Sequence, residues 1–128
     1  MARVKQFKGY QNLTIYAELK EYSDDYILSE NDGENIAEEI ETVLEKKYSL
    51  SREELELDDD VTICLELQLE VTGTSVYYAG TWLEPPDCDI EYNQEYSEKE
   101  FKSLLEKELP KYQFRVYLND DVEISEEW

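Results

Sequence analysis

Between Val61 and Thr72 apolar and polar residues alternate without a break. Val61, Ile63, Leu65, Leu67, Leu69 and Val71 are interleaved with Thr62, Cys64, Glu66, Gln68, Glu70 and Thr72. A period of two held this long is the pattern of a strand with one buried face. Gly73 interrupts the run within Thr-Gly-Thr-Ser, and a β-branched and aromatic stretch from Val76 to Leu83 follows. The sequence therefore predicts a hairpin that turns at Gly73 and returns through Val76–Leu83. Glu84-Pro85-Pro86-Asp87 stops the pairing, because proline cannot donate to a ladder, and Cys88–Tyr92 resumes as a strand past this bend.

The same period recurs twice. Leu13, Ile15, Ala17 and Leu19 predict a first strand, with the segment before Gly9 either a frayed arm or its extension. Tyr112, Phe114, Val116 and Leu118 predict a last strand, which turns at Asn119-Asp120-Asp121 into a short strand or acidic tail. Tyr26-Ile27-Leu28 fits either a short strand or a buried turn.

Helical spacing appears in Ile36, Ile40, Val43 and Leu44 after the Asn31-Asp32-Gly33 start signal. It predicts an amphipathic helix over 34–47, with Lys46 and Lys47 in its last turn at the negative end of the dipole. Ser51-Arg52-Glu53-Glu54 and Ser97-Glu98-Lys99-Glu100 both fit a capping box. The first predicts one helical turn to Leu57. The second opens a helix with an apolar stripe of Phe101, Leu104, Leu105 and Leu109 that Pro110 ends. The order β-α-β-β-α-β defines an α+β fold, an antiparallel sheet with two helices on one face, in the sequence of a ferredoxin-like βαββαβ arrangement. With 128 residues, no repeat and no low-complexity linker, the chain reads as a single domain over 1–128.

Charge changes the picture most. The chain has 33 acidic and 12 basic residues, a net charge of −21, against roughly 2–8 charges that suffice to keep a small domain in solution. The excess calls for a basic partner, bound cations or a high-salt habitat, and the predominance of lysine among the bases argues against the last. Thirteen acids fall between residues 30 and 60 against Lys46, Lys47 and Arg52. Acids two apart on a strand lie roughly 6.6 Å apart on one face, and acids four apart on a helix are neighbours. Both make lines of negative charge like a nucleic-acid backbone.

The chain has no histidine, which removes imidazole-based triads, Cys–His and Ser–His nucleophiles and the usual zinc and haem ligation. Phosphate-binding glycine loops and the G-x-S-x-G elbow are absent. An EF-hand placed on Gly33 puts Leu28 at its first ligand position, so the loop fails. The expectation is no catalytic residue, no cofactor and no metal: a non-enzyme. Cys64 and Cys88 read as free structural thiols. The first residues lack the apolar core of a signal peptide, and no apolar run approaches the roughly 20 residues that span a bilayer. Anionic membranes and nucleic acid would both be repelled. The cytoplasm is the expected compartment.

Small size, absence of histidine and strong negative charge on an α+β chain resemble phage-encoded inhibitors of host defence, the anti-CRISPR and anti-restriction proteins, several of which mimic DNA. The segment TSVYYAGTWLEPPDCDIEY is similar to a tyrosine-rich, Pro-Pro-Asp-Cys strand segment of small phage proteins. The resemblance implies a phage protein acting in the host cytoplasm. It implies a non-enzymatic inhibitor that binds the basic nucleic-acid-binding surface of a CRISPR effector or restriction complex and competes with DNA or RNA. The alternatives are an immunity or antitoxin protein that neutralises a basic toxin, and a phage structural or assembly protein. The candidate partner-binding residues are Glu38, Glu41 and Glu45 on the first helix, Glu53, Glu54, Glu56, Asp58, Asp59 and Asp60 before the long strand, and Glu84, Asp87, Asp89 and Glu91 at the bend.

Overall fold

The computed structural model describes residues 2–78, 87–93 and 95–127. It is an α+β fold: one antiparallel sheet of five strands with two helices. The elements are β1 (Ala2–Leu19), α1 (Glu30–Glu45), β2 (Leu50–Asp59), β3 (Thr62–Tyr78), β4 (Asp87–Tyr92), α2 (Glu98–Glu108) and β5 (Tyr112–Glu127). The sheet path is β2-β3-β1-β5, and β4 continues the β2 side by pairing with the second half of β3. Seven elements thus replace the six expected, with β2 added between α1 and the long strand, where a helical turn was expected.

The alternating apolar positions build the core. Leu13, Ile15 and Ala17 of β1 lie directly opposite Leu67, Leu65 and Ile63 of β3, and all six are fully buried. Ile36, Ile40 and Leu44 of α1 and Phe101 and Leu105 of α2 close over them, with Phe114 and Val116 of β5 at the flank. Each fully buried aliphatic side chain contributes on the order of 1.5–3 kcal/mol. Both helices therefore cover one face of the sheet, and the other face carries no helix. Tyr112 pins α1 to β5: its hydroxyl donates to Glu39 Oε2 at 2.6 Å, and Lys111 Nζ donates to Glu39 Oε1 at 2.9 Å.

Several local expectations are corrected. There is no turn at Thr-Gly-Thr-Ser. β3 runs unbroken through Gly73 to Tyr78, paired with Phe7–Ala2 of β1 on one side and Tyr92–Asp87 of β4 on the other. The glycine answers crowding. A Cβ there would meet the Glu91 carbonyl and come 2.7 Å from the Phe7 ring, and no glycine of the described residues has positive φ. The return strand is β4, whereas 79–86, with the Pro-Pro bend, lie outside the described residues.

Ser51–Leu57 is strand β2, not a helical turn. A bulge between Arg52 and Glu54 shifts the period, so Leu50 and Arg52, then Leu55 and Leu57, fall on the helix side. Asn119-Asp120-Asp121 is an irregularity within β5, opposite Gln11–Leu13 of β1, not a turn. The segment before Gly9 is the strand extension. Tyr26–Leu28 forms no strand: Leu28 is buried and its N–H donates to the Asp60 carbonyl at 2.8 Å.

The helix α1 starts four residues early because Ser29 caps it reciprocally with Asp32, leaving Lys46 and Lys47 beyond its end. Ser97 stands at the N-cap of α2 without a side-chain hydrogen bond. The acid at its next position is used elsewhere, with Glu98 Oε1 accepting from the Leu118 N–H at 2.8 Å.

The glycines give a direct check on this packing. Gly73→Ala is expected to destabilise the protein by about 1–3 kcal/mol in urea unfolding, the usual cost of forcing atoms into filled space. Gly33→Ala, in α1, crowds the flexible Leu57 Cδ2 at 2.9 Å, meets Ile63 Cγ2 at an ordinary 3.5 Å and gains helix propensity, so its effect is expected to stay within about 1 kcal/mol of neutral. Equal effects at the two sites would contradict the continuous β3.

Candidate functional site: the acidic edge strand and the helix-free sheet face

The acids of 38–60 separate by role once placed. Arg52 reaches from β2 to α1, donating from Nε and Nη2 to both oxygens of Glu41 at 2.7 Å and from Nη1 to Glu34 at 2.6 and 2.7 Å. The two carboxylates hold its guanidinium in the charged form, its pKa raised. Glu41 is thereby spent on joining helix to sheet. Asp59 is also engaged locally, since its Oδ1 accepts from the Val61 N–H at 2.9 Å in the β2–β3 turn. That bond and one from the Thr62 side chain hold its carboxyl below the usual range. Glu38 and Glu45 are exposed on α1.

Glu53, Glu54, Glu56, Asp58 and Asp60 are different. All are exposed, and none makes an ion pair among the described residues. The described ion pairs engage other acids: Lys8 with Glu70, Arg52 with Glu34 and Glu41, Lys102 with Glu106, and Lys111 with Glu39. The register shows what these acids line. Glu54 lies opposite Glu66, and Glu66 opposite Thr14 of β1, which faces Tyr117 of β5. One row along, Glu56, Cys64, Tyr16 and Arg115 face one another across the same four strands. Both rows lie on the helix-free face. Glu54, as hydrogen-bond partner and as like charge, pushes the Glu56 carboxyl up. Like charges side by side on one strand face repel each other. A core of this size tolerates that cost, and a cation placed beside them would relieve it.

The bend acids do not join this group. Glu84 lies outside the described residues, and for Asp87 and Asp89 only the backbone is described, opposite Tyr78 and Val76. Glu91 is exposed, opposite Thr74. Val76 is fourteen positions along β3 from Thr62, about 45 Å at the usual rise per residue. The two acidic clusters mark opposite ends of one strand.

Sequence reasoning missed the non-acidic part of the face. Tyr16 and Tyr117 meet edge to face at 5.9 Å and 85°, and the Arg115 guanidinium carbon lies 4.6 Å from the Tyr16 ring centre. Tyr16 sits opposite Cys64, and the neighbouring thiol, more than burial, raises the tyrosine's pKa. Cys64 is a free, half-buried thiol, raised chiefly by burial. The signal lay in register: Tyr16, Cys64 and Arg115 are even-spaced outliers in three strands that only pairing brings into one row. No metal-holding group of acids and cysteines occurs among the described residues. Among the same residues, no helix is long and apolar enough to cross a membrane.

No family model, curated protein or solved structure matches the chain.

Stability should follow pH in two phases. The folded Glu56 pKa is raised, so between its ordinary value of 4.5 and its folded value the native state binds more protons, and acidification toward that range is stabilising. Asp32, Glu39 and Asp59 have lowered folded values. Their stabilisation is present above the ordinary carboxyl range and is lost as pH falls through the folded values. Urea midpoints are expected to rise as pH is lowered from neutral and to fall below about 4. Glu56→Gln should flatten the rise and leave the fall. A midpoint that declines steadily from pH 7 would contradict this.

Proposed function

We propose that the protein is a non-enzymatic inhibitor that occupies the basic nucleic-acid-binding surface of a host defence protein, a CRISPR effector or restriction complex, and competes there with DNA or RNA. The observation that carries this reading is the set of five carboxylates along β2 and its turn, Glu53, Glu54, Glu56, Asp58 and Asp60, exposed and without an ion pair among the described residues. A chain that held its charge only for solubility would have no need to leave like charges adjacent on one edge strand. Glu56 and Glu54 repel each other in the free protein, and lysines or arginines of a phosphate-binding groove would reverse that cost.

The spacing fits the same use. Acids two apart on a strand repeat at roughly 6.6 Å, and a groove built to follow phosphates holds cations in comparable lines. Association would be electrostatically steered, fast at low salt and slowed by added salt. Glu38 and Glu45 supply long-range attraction from α1. Glu41 and Asp59, engaged in the fold, are not contacts in this reading.

The test is displacement of a labelled nucleic acid from a purified CRISPR effector or restriction complex. The protein is expected to displace it with a potency that falls as salt rises. A variant with Glu53, Glu54 and Glu56 changed to Gln and Asp58 and Asp60 to Asn should lose at least about tenfold in potency, the summed effect of five screened charges. Changing Glu38 and Glu45 to Gln should cost little. Absence of displacement across the effectors tried, or full potency in the five-residue variant, would reject the proposal.

A further inference from the structure

The helix-free face holds more than charge. Tyr117 is 51% exposed, with its ring set edge to face against Tyr16. Across the sheet from it in the same row stand Glu66 and Glu54. Beside it the Arg115 guanidinium lies over the Tyr16 ring. Arg115 makes no ion pair among the described residues, and its guanidinium acts on the Tyr16 ring and, at longer range, on Asp59. An aromatic surface that already holds a guanidinium, bordered by carboxylates that hold none, is a surface chemically fitted to arginine. Guanidinium stacks on aromatic faces and matches the fork of a carboxylate, whereas an ammonium is a compact, strongly hydrated point charge.

We infer that this helix-free sheet face docks an arginine-presenting segment of the protein's partner, one guanidinium on the exposed Tyr117 ring and further arginines against Glu66 and Glu54, roughly 10 and 14 Å away across the strands. The inference rests on the proposed function, in which the partner is basic, and it narrows that partner's contact to one face and one residue type. A second copy of the chain is a poor occupant, because the same acids would face each other. Strand addition along β2 is also disfavoured, because that edge carries two register shifts and a row of charges. The face carries no helix in the described residues, and its four strands leave room for a helix or extended segment laid across them.

The probes are an arginine-rich and a lysine-rich peptide of equal length and charge, titrated into the isotope-labelled full chain at roughly 0.1 M salt to limit long-range attraction. Amide shifts are expected to concentrate at Thr14–Tyr16, Glu54–Glu56, Glu66 and Tyr117, with the arginine peptide bound more tightly. Tyr117→Ala should weaken the arginine peptide about two- to fivefold, the range of an exposed cation–π contact, and change the lysine peptide little. Tyr117→Leu, which keeps apolar area, should show the same loss and so controls for packing. Glu54→Gln with Glu66→Gln should weaken both peptides. Shifts centred on Glu38 and Glu45, or an unchanged preference in both Tyr117 variants, would overturn the inference. If that happens while nucleic-acid displacement persists, the docking face falls and the inhibitor reading stands. If displacement fails while the footprint holds, the reverse is concluded.

Discussion

The pairing of β1 with β3 is the constraint from which the rest of the structure follows. Seventeen residues of each strand run antiparallel in continuous register, from Ala2 against Tyr78 to Glu18 against Thr62. Because side chains alternate, this one register sends Leu13, Ile15, Ala17, Ile63, Leu65 and Leu67 to one side together. A slip of one residue would exchange them for Thr14, Tyr16, Cys64 and Glu66. The apolar side recruits both amphipathic helices, and the side left over becomes the helix-free face. Core and candidate interface are thus two consequences of the same register.

The parts of the fold that were legible in the sequence are those where the period is unbroken. β3 from 62 to 72, the second half of β1, the first half of β5 and both helices are written in apolar spacing alone. What was not legible depends on irregularity or contact. The bulge beside Glu53 offsets Leu55 and Leu57 from Leu50, so β2 shows no clean alternation, and Ser51 with Glu54 imitates a helix start. Gly73 looks like a turn because glycine usually is one between apolar runs. Here it makes room for the Phe7 ring and the β4 backbone, which are distant in sequence. Ser29 was invisible as a cap because its reciprocal partner is Asp32, not the glutamate or glutamine of the usual box.

The candidate site divides the same way. That the acids of 53–60 stand exposed together could be anticipated from their density. Their neighbours could not. Arg52 withdraws Glu41 from the surface by bidentate pairing, and the distance along β3 separates the bend acids from the rest. Tyr16, Tyr117 and Arg115 come from β1 and β5, roughly a hundred residues apart in the chain. Charge that is costly when left unpaired, and aromatic surface that is half exposed, occupy one face. This coincidence gives the proposed partner its chemistry.

The continuity of β3 underlies every one of these placements, and amide hydrogen exchange tests it most directly. Between β1 and β4, the backbone groups of Gly73, Thr74 and Ser75 have a ladder partner on one side or the other. Their exchange should therefore be slowed toward that of Leu65 and Leu67 in the middle of the sheet. Exchange of the Gly73–Ser75 amides at the rate of an open turn, with Leu65 and Leu67 still protected, would show that the strand ends at Gly73 and would contradict the register on which both faces depend.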